Sequence, residues 1–303
     1  MLILLSCFLF VSNCSLPVLA EEASEEDSTN IESITIEDGE TRLEIEDEVI
    51  SDNNDQFSEI QETLSNEEYE YTISNNEVTI TKYLGSETAL IVPGTINDYP
   101  VISIGSYAFS GCTSLTELIL PESVTKLGAR MIQGTGISSI TVPKGVTDAG
   151  HGNAYNSANG EYENFGPFDG VKELKEVIFE EGMKVIPAYI CASAAIERVT
   201  LPDSVTSIGN YAFHYCESLE GVNLPANLTG IGYYAFSRCT SLAEISLPKT
   251  LKSIGSSAFV NCSSLSAVTF EEGETEGSAL TEIGEYAFSG CTSLTELILP
   301  ESV

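Results

Sequence analysis

Cysteine is the residue type of this 303-residue chain whose spacing most invites a chemical interpretation. Of its eight cysteines, Cys7 and Cys14 lie in the apolar N-terminal segment, and five others recur at one place in a repeated frame. No Cys-x-x-Cys spacing or neighbouring histidine favours a metal site. Stacked repeats would align the recurring thiols along the core, so we predict buried cysteines, with a disulfide between neighbouring repeats as the alternative. The five are Cys112, Cys216, Cys239, Cys262 and Cys291.

Residues suited to catalysis are scarce. The chain has two histidines, His151 and His214, and a Ser-His-Asp or Cys-His arrangement would need one of them. We predict that His214 lies at the surface, because it occupies a variable place in the repeat. The acidic pairs Glu180-Glu181 and Glu271-Glu272 fall at repeat edges, where solvated carboxylates are expected. The sequence therefore predicts no enzyme, no catalytic residue, no metal and no cofactor.

The net charge of −34 is concentrated near the N-terminus. Residues 21–75 contain 20 Asp or Glu and a single basic residue, Arg42. Nucleic acids bind proteins through Lys and Arg, so this balance excludes a nucleic-acid partner. Residues 21–68 are also rich in Ser and Asn and poor in large apolar residues. This composition predicts a disordered acidic spacer.

The first twenty residues indicate export. Residues 1–20 are apolar and uncharged and end in Val18-Leu19-Ala20, a small-residue pattern typical of signal-peptide cleavage. We therefore predict a secreted or cell-surface protein. Two alternatives stay open: a membrane anchor formed by the same segment, and a lipoprotein signal with Cys14 as the lipidated residue. Contact with a membrane is expected only through such an anchor.

The rest of the chain is built from repeats. Alternating apolar residues over 69–103 predict short strands that cap a repeated structure. A frame Ile-Gly-x-x-Ala-Phe-x-x-Cys-x-Ser-Leu-x-x-Ile-x-Leu-Pro begins at Ile104 and returns, with degenerate copies in the middle, throughout 104–303. Successive copies that begin at Ile208, Ile231, Ile254 and Ile283 are 23, 23 and 29 residues apart.

Two insertions and an abrupt end modify this frame. The insertions lie at residues 148–164 and 271–278. Residues 286–303 repeat residues 107–124 without a change, and no polar cap follows. Because the last repeat of a solenoid needs a cap, we expect that the sequence is truncated here and that the natural protein continues beyond Val303.

The frame resembles the BspA-like class of bacterial surface leucine-rich repeats. The resemblance, and the repeat period itself, imply a leucine-rich-repeat solenoid with short parallel strands on one face and short helical or turn segments on the other. The resemblance also implies a non-catalytic surface protein that binds other macromolecules. Departures from the frame are local: Ile132 and Cys191 occupy Phe positions, and Thr135, Val171 and Ala194 occupy Cys positions.

The strands should carry the binding surface. In each copy the Leu-x-x-Ile-x-Leu segment is predicted to form a strand with its Leu and Ile side chains inward. Outward residues of successive strands then form columns that can change without disturbing the core. Their mixed apolar and acidic character suits a protein or peptide partner. The candidate binding residues are Glu117, Ile119, Thr141, Glu176, Ile178, Arg198, Thr200, Asn223, Glu244, Ser246, Thr269 and Ile298.

The insertion 148–164 is a second candidate, because loops on a rigid scaffold often carry function. Tyr155 and Tyr162 within it would give aromatic contacts to a sugar or a protein. A set of tyrosines before the Ala-Phe pair is predicted instead to pack between coils. These are Tyr107, Tyr211, Tyr234 and Tyr286.

The resemblance implies an adhesin or interaction module that holds an extracellular protein or glycan, and we expect this module to be a monomer. Two other functions stay open. In the first, the chain is the accessory repeat region of a longer secreted enzyme or cell-wall protein. In the second, it is a passive structural spacer without a partner.

Overall fold

The computed structural model describes residues 35–37, 40–42, 63–156, 161–271 and 278–303. Within these ranges the chain forms β-strands joined by turns, and no helix. In chain order the strands are β1 (Thr35–Glu37), β2 (Glu40–Arg42), β3 (Leu64–Ser65), β4 (Tyr69–Ser74), β5 (Glu77–Tyr83), β6 (Ala89–Ile91), β7 (Thr95–Ile96), β8 (Tyr99–Ile104), β9 (Glu117–Ile119), β10 (Lys126–Leu127), β11 (Ser139–Val142) and β12 (Asp148–Ala149). They continue with β13 (Gly152–Asn156), β14 (Glu161–Phe165), β15 (Glu176–Phe179), β16 (Val185–Ile186), β17 (Arg198–Thr200), β18 (Ser207–Ile208), β19 (Gly230–Ile231), β20 (Glu244–Leu247), β21 (Ser253–Ile254), β22 (Ala267–Phe270) and β23 (Glu282–Ile283).

Two ladders of parallel strands run along the solenoid, and one repeat unit, or coil, contributes to both. The first ladder holds the Leu-x-x-Ile-x-Leu strands: β6 pairs with β9, β15 pairs with both β11 and β17, and β20 pairs with β22. The second holds the end of the six-residue strand β8 and the two-residue strands of the Ile-Gly positions, in the orders β8–β10–β12 and β16–β18–β19–β21–β23. In β20, Ile245 and Leu247 are buried while Glu244 and Ser246 are exposed. We call the outward surface of the first ladder the strand face.

An antiparallel sheet closes the N-terminal side of the described coils. Strands β3, β4 and β5 pair antiparallel, and β5 then pairs parallel with β8 of the second ladder. Tyr69, Tyr71 and Ile80 are buried within this sheet. The sheet begins at Leu64, ahead of the predicted boundary at Tyr69, because Leu64 pairs with Tyr71.

Only a part of the predicted acidic spacer lies within the described residues. Strands β1 and β2 form an antiparallel pair inside it, which differs from the structureless segment predicted there. The alternation Thr35-Ile36-Glu37 has the period of a short strand. The predicted signal peptide, residues 1–20, and the rest of the spacer before Thr63 lie outside the described residues.

Stacked identical side chains fill the core between the ladders. The rings of Phe213, Phe236 and Phe259 are all buried and stack at centroid distances of 5.1 and 5.3 Å. Rings at this separation gain stacking energy in addition to burial. The repeated Phe thus forms one continuous aromatic column across successive coils.

The cysteines form a second column beside these rings. Four of them, Cys216, Cys239, Cys262 and Cys291, are buried. Each of these four Sγ–H groups donates to a carbonyl oxygen of the preceding coil at 3.0–3.2 Å. All six cysteines that the structure describes are free thiols. Cys112 is half-buried. Cys191 is buried at a Phe position. Its backbone N–H donates to Ala212 O, and in the next coil the N–H of Phe213 donates to Ala235 O in the same way. Burial raises the pKa of Cys216 and Cys239, which keeps them protonated. The prediction of buried thiols is therefore confirmed for the coils beyond Cys112.

The Gly of the Ile-Gly motif has a steric role. A Cβ built on Gly232 would lie 2.7 Å from Asn210 N, and one on Gly255 would lie 2.5 Å from Tyr233 N. These are backbone atoms of the preceding coil, so they cannot rotate away. Only glycine allows the coils to approach this closely at positions 232 and 255.

In the described residues the side opposite the strand face consists of turns. Of the helical or turn segments predicted there, the turns are therefore correct. Tyr211 and Tyr215 have positive φ, 57° and 59°, on either side of Ala212-Phe213. Left-handed residues at both positions prevent a helical turn from forming between them. The insertion 148–164 contains the antiparallel hairpin β13–β14; its residues 157–160 and residues 272–277 of the other insertion lie outside the described residues.

Candidate functional site

The strand face brings most of the predicted binding residues into aligned columns. Ile178 pairs with Thr141 on one side and with Thr200 on the other. Ser246 pairs with Thr269 in the same way. Strands β15 and β17 likewise align Glu176 with Arg198, and Glu244 aligns with Ala267. Except for Glu176 and Ile178, which are half-buried, the twelve predicted residues are exposed.

Sequence reasoning missed the first member of this column. Strand β6 pairs with β9, which sets Ile91 beside Ile119 and Ala89 beside Glu117. Ile91 is 72% exposed and Ile119 is 46% exposed. The segment Ala89-Leu90-Ile91-Val92-Pro93 has the same pattern as Glu117-Leu118-Ile119-Leu120-Pro121, and this signal could have identified it.

The predicted strand is missing from two copies. Residues 221–224 and 296–299 form no strand, so the prediction of a strand in each copy is wrong at Asn223 and Ile298. In the first of these copies Gly221 and Asn223 replace the residues that favour strands, and both types are depleted in sheets. Val222 and Leu224 are only half-buried, whereas Ile245 and Leu247 of the next coil are fully buried. The coil at 221–224 therefore leaves the ladder between β17 and β20.

A groove of about 700 Å³ follows the strand face across this interruption. Its lining includes seven of the predicted residues: Glu176, Arg198, Thr200, Asn223, Glu244, Ser246 and Thr269. Three further carboxylates, Glu197, Glu220 and Glu271, also line it. Glu197 precedes β17, Glu271 follows β22 and Glu220 precedes the segment 221–224, so all three fell outside the predicted columns. We call this cavity the acidic groove.

A second groove of about 770 Å³ lies beside β9 and β11. It is lined by the predicted residues Glu117, Ile119 and Thr141. Its carboxylate Glu122 forms an ion pair with Lys144 at 3.4 Å, and both side chains are exposed. The predicted residue Ile178 lies on the strand face outside both grooves, and Ile298, whose copy forms no strand, also lies outside them.

The hairpin insertion brings its two predicted tyrosines together. Tyr155 of β13 and Tyr162 of β14 are Cα partners in the antiparallel register. At the base of the hairpin, Phe165 is buried beneath Arg130, whose guanidinium carbon lies 3.7 Å from the ring centroid. Arg130 Nε also donates to Asp169 Oδ2 at 2.7 Å. The hairpin is thus anchored on the turn side of the solenoid, away from the strand face.

The tyrosine column on the turn side is more extensive than predicted. Tyr211 stacks on Tyr234 at 5.0 Å, which confirms packing between coils for this pair. The stack continues to Tyr189 at 4.8 Å and then to His151 at 3.9 Å. The predicted members Tyr107 and Tyr286 are instead 46% and 69% exposed. Tyr189 was missed because its coil is a degenerate copy that lacks the Ala-Phe pair.

His214 is buried, and the prediction of a surface position is wrong. It is 6% exposed and lies against the rings of Tyr211 and Tyr215, at 5.2 and 4.5 Å. Its Nδ1 has no hydrogen-bond partner in the part of the chain that the structure describes. Burial lowers the pKa of His214 to about 4, and the positive charge of Arg238 adds to the effect.

This burial predicts an acid-sensitive fold. The neutral imidazole is favoured when folded, so its contribution is complete above the unfolded pKa of about 6.5 and is lost as the pH falls towards 4. Between pH 7 and pH 5 the unmodified protein should lose about 2 kcal/mol of unfolding free energy because of His214. The variant His214→Phe should not show this loss. Urea denaturation at both pH values measures this difference. His151→Phe, at an exposed position, is the control, and equal pH dependence in both variants would contradict the expectation.

The described residues contain no cluster of three or more His, Cys, Asp or Glu side chains arranged to hold a metal ion. The contacts of both imidazoles are with aromatic rings. A helix long and apolar enough to cross a membrane is also missing from the described ranges. The features that stand out chemically are therefore the two grooves and the exposed apolar side chains of the strand face.

Comparison with known proteins identifies the repeat. Residues 27–161, 79–184 and 184–303 match the family model described as BspA type leucine rich repeat region, in six copies. No curated protein matches the chain. Among solved structures, the chain is similar to the T. pallidum leucine rich repeat protein TpLRR, with 26% identity, 78% of this chain and 92% of that chain covered, and a TM-score of 0.34.

Two other solved structures are similar over much of the chain. One is a leucine rich cell surface protein from Faecalibacterium prausnitzii A2-165, with 21% identity, coverage of 81% of this chain and 84% of that chain, and a TM-score of 0.33. The other is the pneumococcal vaccine antigen PcpA, with 12% identity, coverage of 78% and 87%, and a TM-score of 0.26.

Proposed function

The chain belongs to the BspA-type leucine-rich-repeat family, and on that basis we propose that it is a non-catalytic binding module, located at the cell surface or secreted, whose strand face holds an extracellular protein. The observation that carries the proposal is the contrast between the two sides of each strand. Inward residues such as Ile140, Val177 and Ile245 are uniformly apolar and buried. Their outward neighbours differ from coil to coil, so they are free to suit a partner.

Exposed apolar side chains support a protein as the partner. Ile91 and Ile119 are 72% and 46% exposed on the strand face, and Ile298 is 73% exposed at the equivalent position of the last copy, which forms no strand. Contact with a protein would remove their apolar surface from water, which contributes roughly 25 cal/mol per Å². The acidic and hydroxyl side chains around them would form the polar rim that protein interfaces usually have. A passive spacer would have no use for such a surface.

Three substitutions test the strand face directly. The full chain is titrated against immobilised extracellular-matrix proteins and cell-wall glycans, and saturable binding to a protein is expected. Ile119→Asp, Ile178→Asp and Ile298→Asp together should weaken that binding at least about ten-fold, because three charges would be desolvated in the interface. The melting temperature should change little, since Ile119 and Ile298 are exposed and Ile178 is only half-buried.

The matched control adds the same three charges elsewhere. Leu84→Asp, Val185→Asp and Tyr286→Asp alter side chains that are also exposed, at 42%, 51% and 69%, but lie off the strand face. This control should bind as the unmodified protein does. No saturable binding to any panel member would refute the binding function and favour a spacer, and saturable binding to glycans alone would refute the protein partner. Equal binding by both triple variants would move the site to the β13–β14 hairpin.

A further inference from the structure

The acidic groove lies where one coil has left the first ladder. Strand β17 has its ladder partner on one side only, β15, and β20 pairs only with β22. Between them, residues 221–224, all within the described part of the chain, form no backbone hydrogen bond with either neighbouring coil. A Cβ built on Gly221 would meet no atom within 4 Å. The centre of the groove is therefore open, with room for a side chain that this protein does not supply.

The charge of the groove is one-sided. Five carboxylates line it, and Arg198 is its single cationic side chain. Arg198 lies 3.7 Å from Glu197, which also accepts a hydrogen bond from Lys175 at 2.7 Å. That bond from Lys175 lowers the pKa of Glu197. Both local cations are thus engaged with the same carboxylate.

The other carboxylates keep their charge uncompensated. Within the described residues no Lys or Arg lies within ion-pair distance of Glu176, Glu220 or Glu244. Glu271 accepts a hydrogen bond from the hydroxyl of Ser246 at 3.2 Å, which leaves its charge in place. A ligand that brought positive charges to this groove would find three carboxylates without a competing cation.

The dimensions of the groove suit an extended peptide. The lining runs from the coil of Glu176 to the coil of Ala267, which is four steps along the solenoid. At about 4.8 Å per strand, this length is roughly 19 Å, the span of about six residues of extended chain at 3.3 Å each. Such a peptide would lie across the strands, with alternate side chains directed towards the groove.

We propose that the acidic groove binds an extended segment, rich in lysine or arginine, of the partner protein. The proposal rests on the proposed function, because it names the part of a protein that the strand face recognises. Cationic side chains of the segment pair with Glu176, Glu220 and Glu244, and one side chain fills the space above Gly221. The groove thereby discriminates against acidic segments, which like charges would repel.

The test uses the full chain and a defined probe. The probe is a rhodamine-labelled, end-blocked hexapeptide of alternating lysine and threonine, followed by fluorescence anisotropy at low and at physiological salt. An otherwise identical peptide with glutamate in place of lysine should not bind. Because exposed charge pairs are screened, affinity for the lysine peptide should fall as salt rises.

Three variants separate the groove from the general acidity of the chain. Glu176→Gln, Glu220→Gln and Glu244→Gln together should weaken binding of the lysine peptide about ten-fold, a modest contribution from each exposed pair. The control Glu217→Gln, Glu282→Gln and Glu285→Gln removes the same charge from exposed positions outside the groove and should leave binding unchanged. Gly221→Trp fills the groove without changing its charge, and it should weaken binding by a similar factor.

Equal losses in the two glutamine variants, or full affinity in Gly221→Trp, would overturn the proposal, because the peptide would then be attracted by net charge alone. The proposed function has a separate outcome. If the groove variants keep full affinity for a panel protein while the triple Ile→Asp variant loses it, the groove is not the site but the strand face is.

Discussion

Replacing Gly255 with alanine should lower the free energy of unfolding by about 3 kcal/mol, the upper end of the usual cost of overpacking. The new Cβ would lie 2.5 Å from Tyr233 N and 2.6 Å from the carbonyl carbon of Gly232. Both atoms belong to the backbone of the preceding coil, so relief requires the two coils to separate. Separation would lengthen the hydrogen bond from Gly255 N to Ile231 O, which is 2.8 Å. Urea denaturation followed by circular dichroism measures the loss.

Gly221→Ala is the matched control for this substitution. A Cβ at Gly221 meets nothing within 4 Å, and Gly221 is not among the residues with positive φ. Alanine there restricts the unfolded chain, so stability should be unchanged or higher by about 0.5 kcal/mol. If Gly255→Ala proved as harmless as Gly221→Ala, the coils would not approach as closely as described.

Replacing Phe236 with alanine should cost about 4 kcal/mol of unfolding free energy, within the range for removing a buried aromatic ring. Phe236 is fully buried and stacks on Phe213 and Phe259, at 5.1 and 5.3 Å. Its loss leaves a cavity and interrupts the aromatic column. Because each coil of a solenoid is stabilised by its neighbours, the coils on the two sides of Phe236 should also unfold less cooperatively. The free energy of unfolding should then fall less steeply with urea concentration.

Two substitutions bracket this expectation. Phe236→Leu keeps most of the apolar volume and should cost about 1 kcal/mol. Ile91→Ala truncates a side chain that is 72% exposed and should change stability by no more than about 0.5 kcal/mol. A similar cost for Phe236→Ala and Ile91→Ala would mean that the Phe column is not the core of the protein.

The repeat frame predicts the core well because one physical requirement acts on each coil. A coil cannot bury its apolar face alone, so the same Phe, Leu and Ile return wherever two coils stack. The alternation within β20 follows from the two-residue period of a strand, and the sequence therefore indicates Ser246 as outward and Ile245 as inward. The Cys column is predictable for the same reason.

Features that depend on one coil alone were harder to predict. The frame around Gly221 keeps its Val and Leu, yet two residues that disfavour strands are enough to remove it from the ladder. His214 follows Phe213 at a variable position, and it packs against Tyr211 and Tyr215 of its own coil and Tyr234 of the next coil. Such contacts between coils are not encoded at any single repeat position.

The acidic groove shows the same limit. The outward columns predict Glu176 and Glu244 as neighbours of a partner, but Glu197, Glu220 and Glu271 join them only through the geometry of adjacent turns. The opening at the centre follows from the missing strand. Local sequence therefore predicts the strand face as a surface, whereas its cavities depend on how successive coils depart from the ideal repeat.

Hydroxyl-radical footprinting of the full chain, bound to the panel protein that it binds most tightly, tests the strand face most directly. The account predicts that binding protects Ile91, Ile119 and Ile178, while the exposed Tyr107 and Tyr286 on the turn side are oxidised as in the free protein. Protection of the two tyrosines with no change at the three isoleucines would contradict the assignment of the strand face as the binding surface.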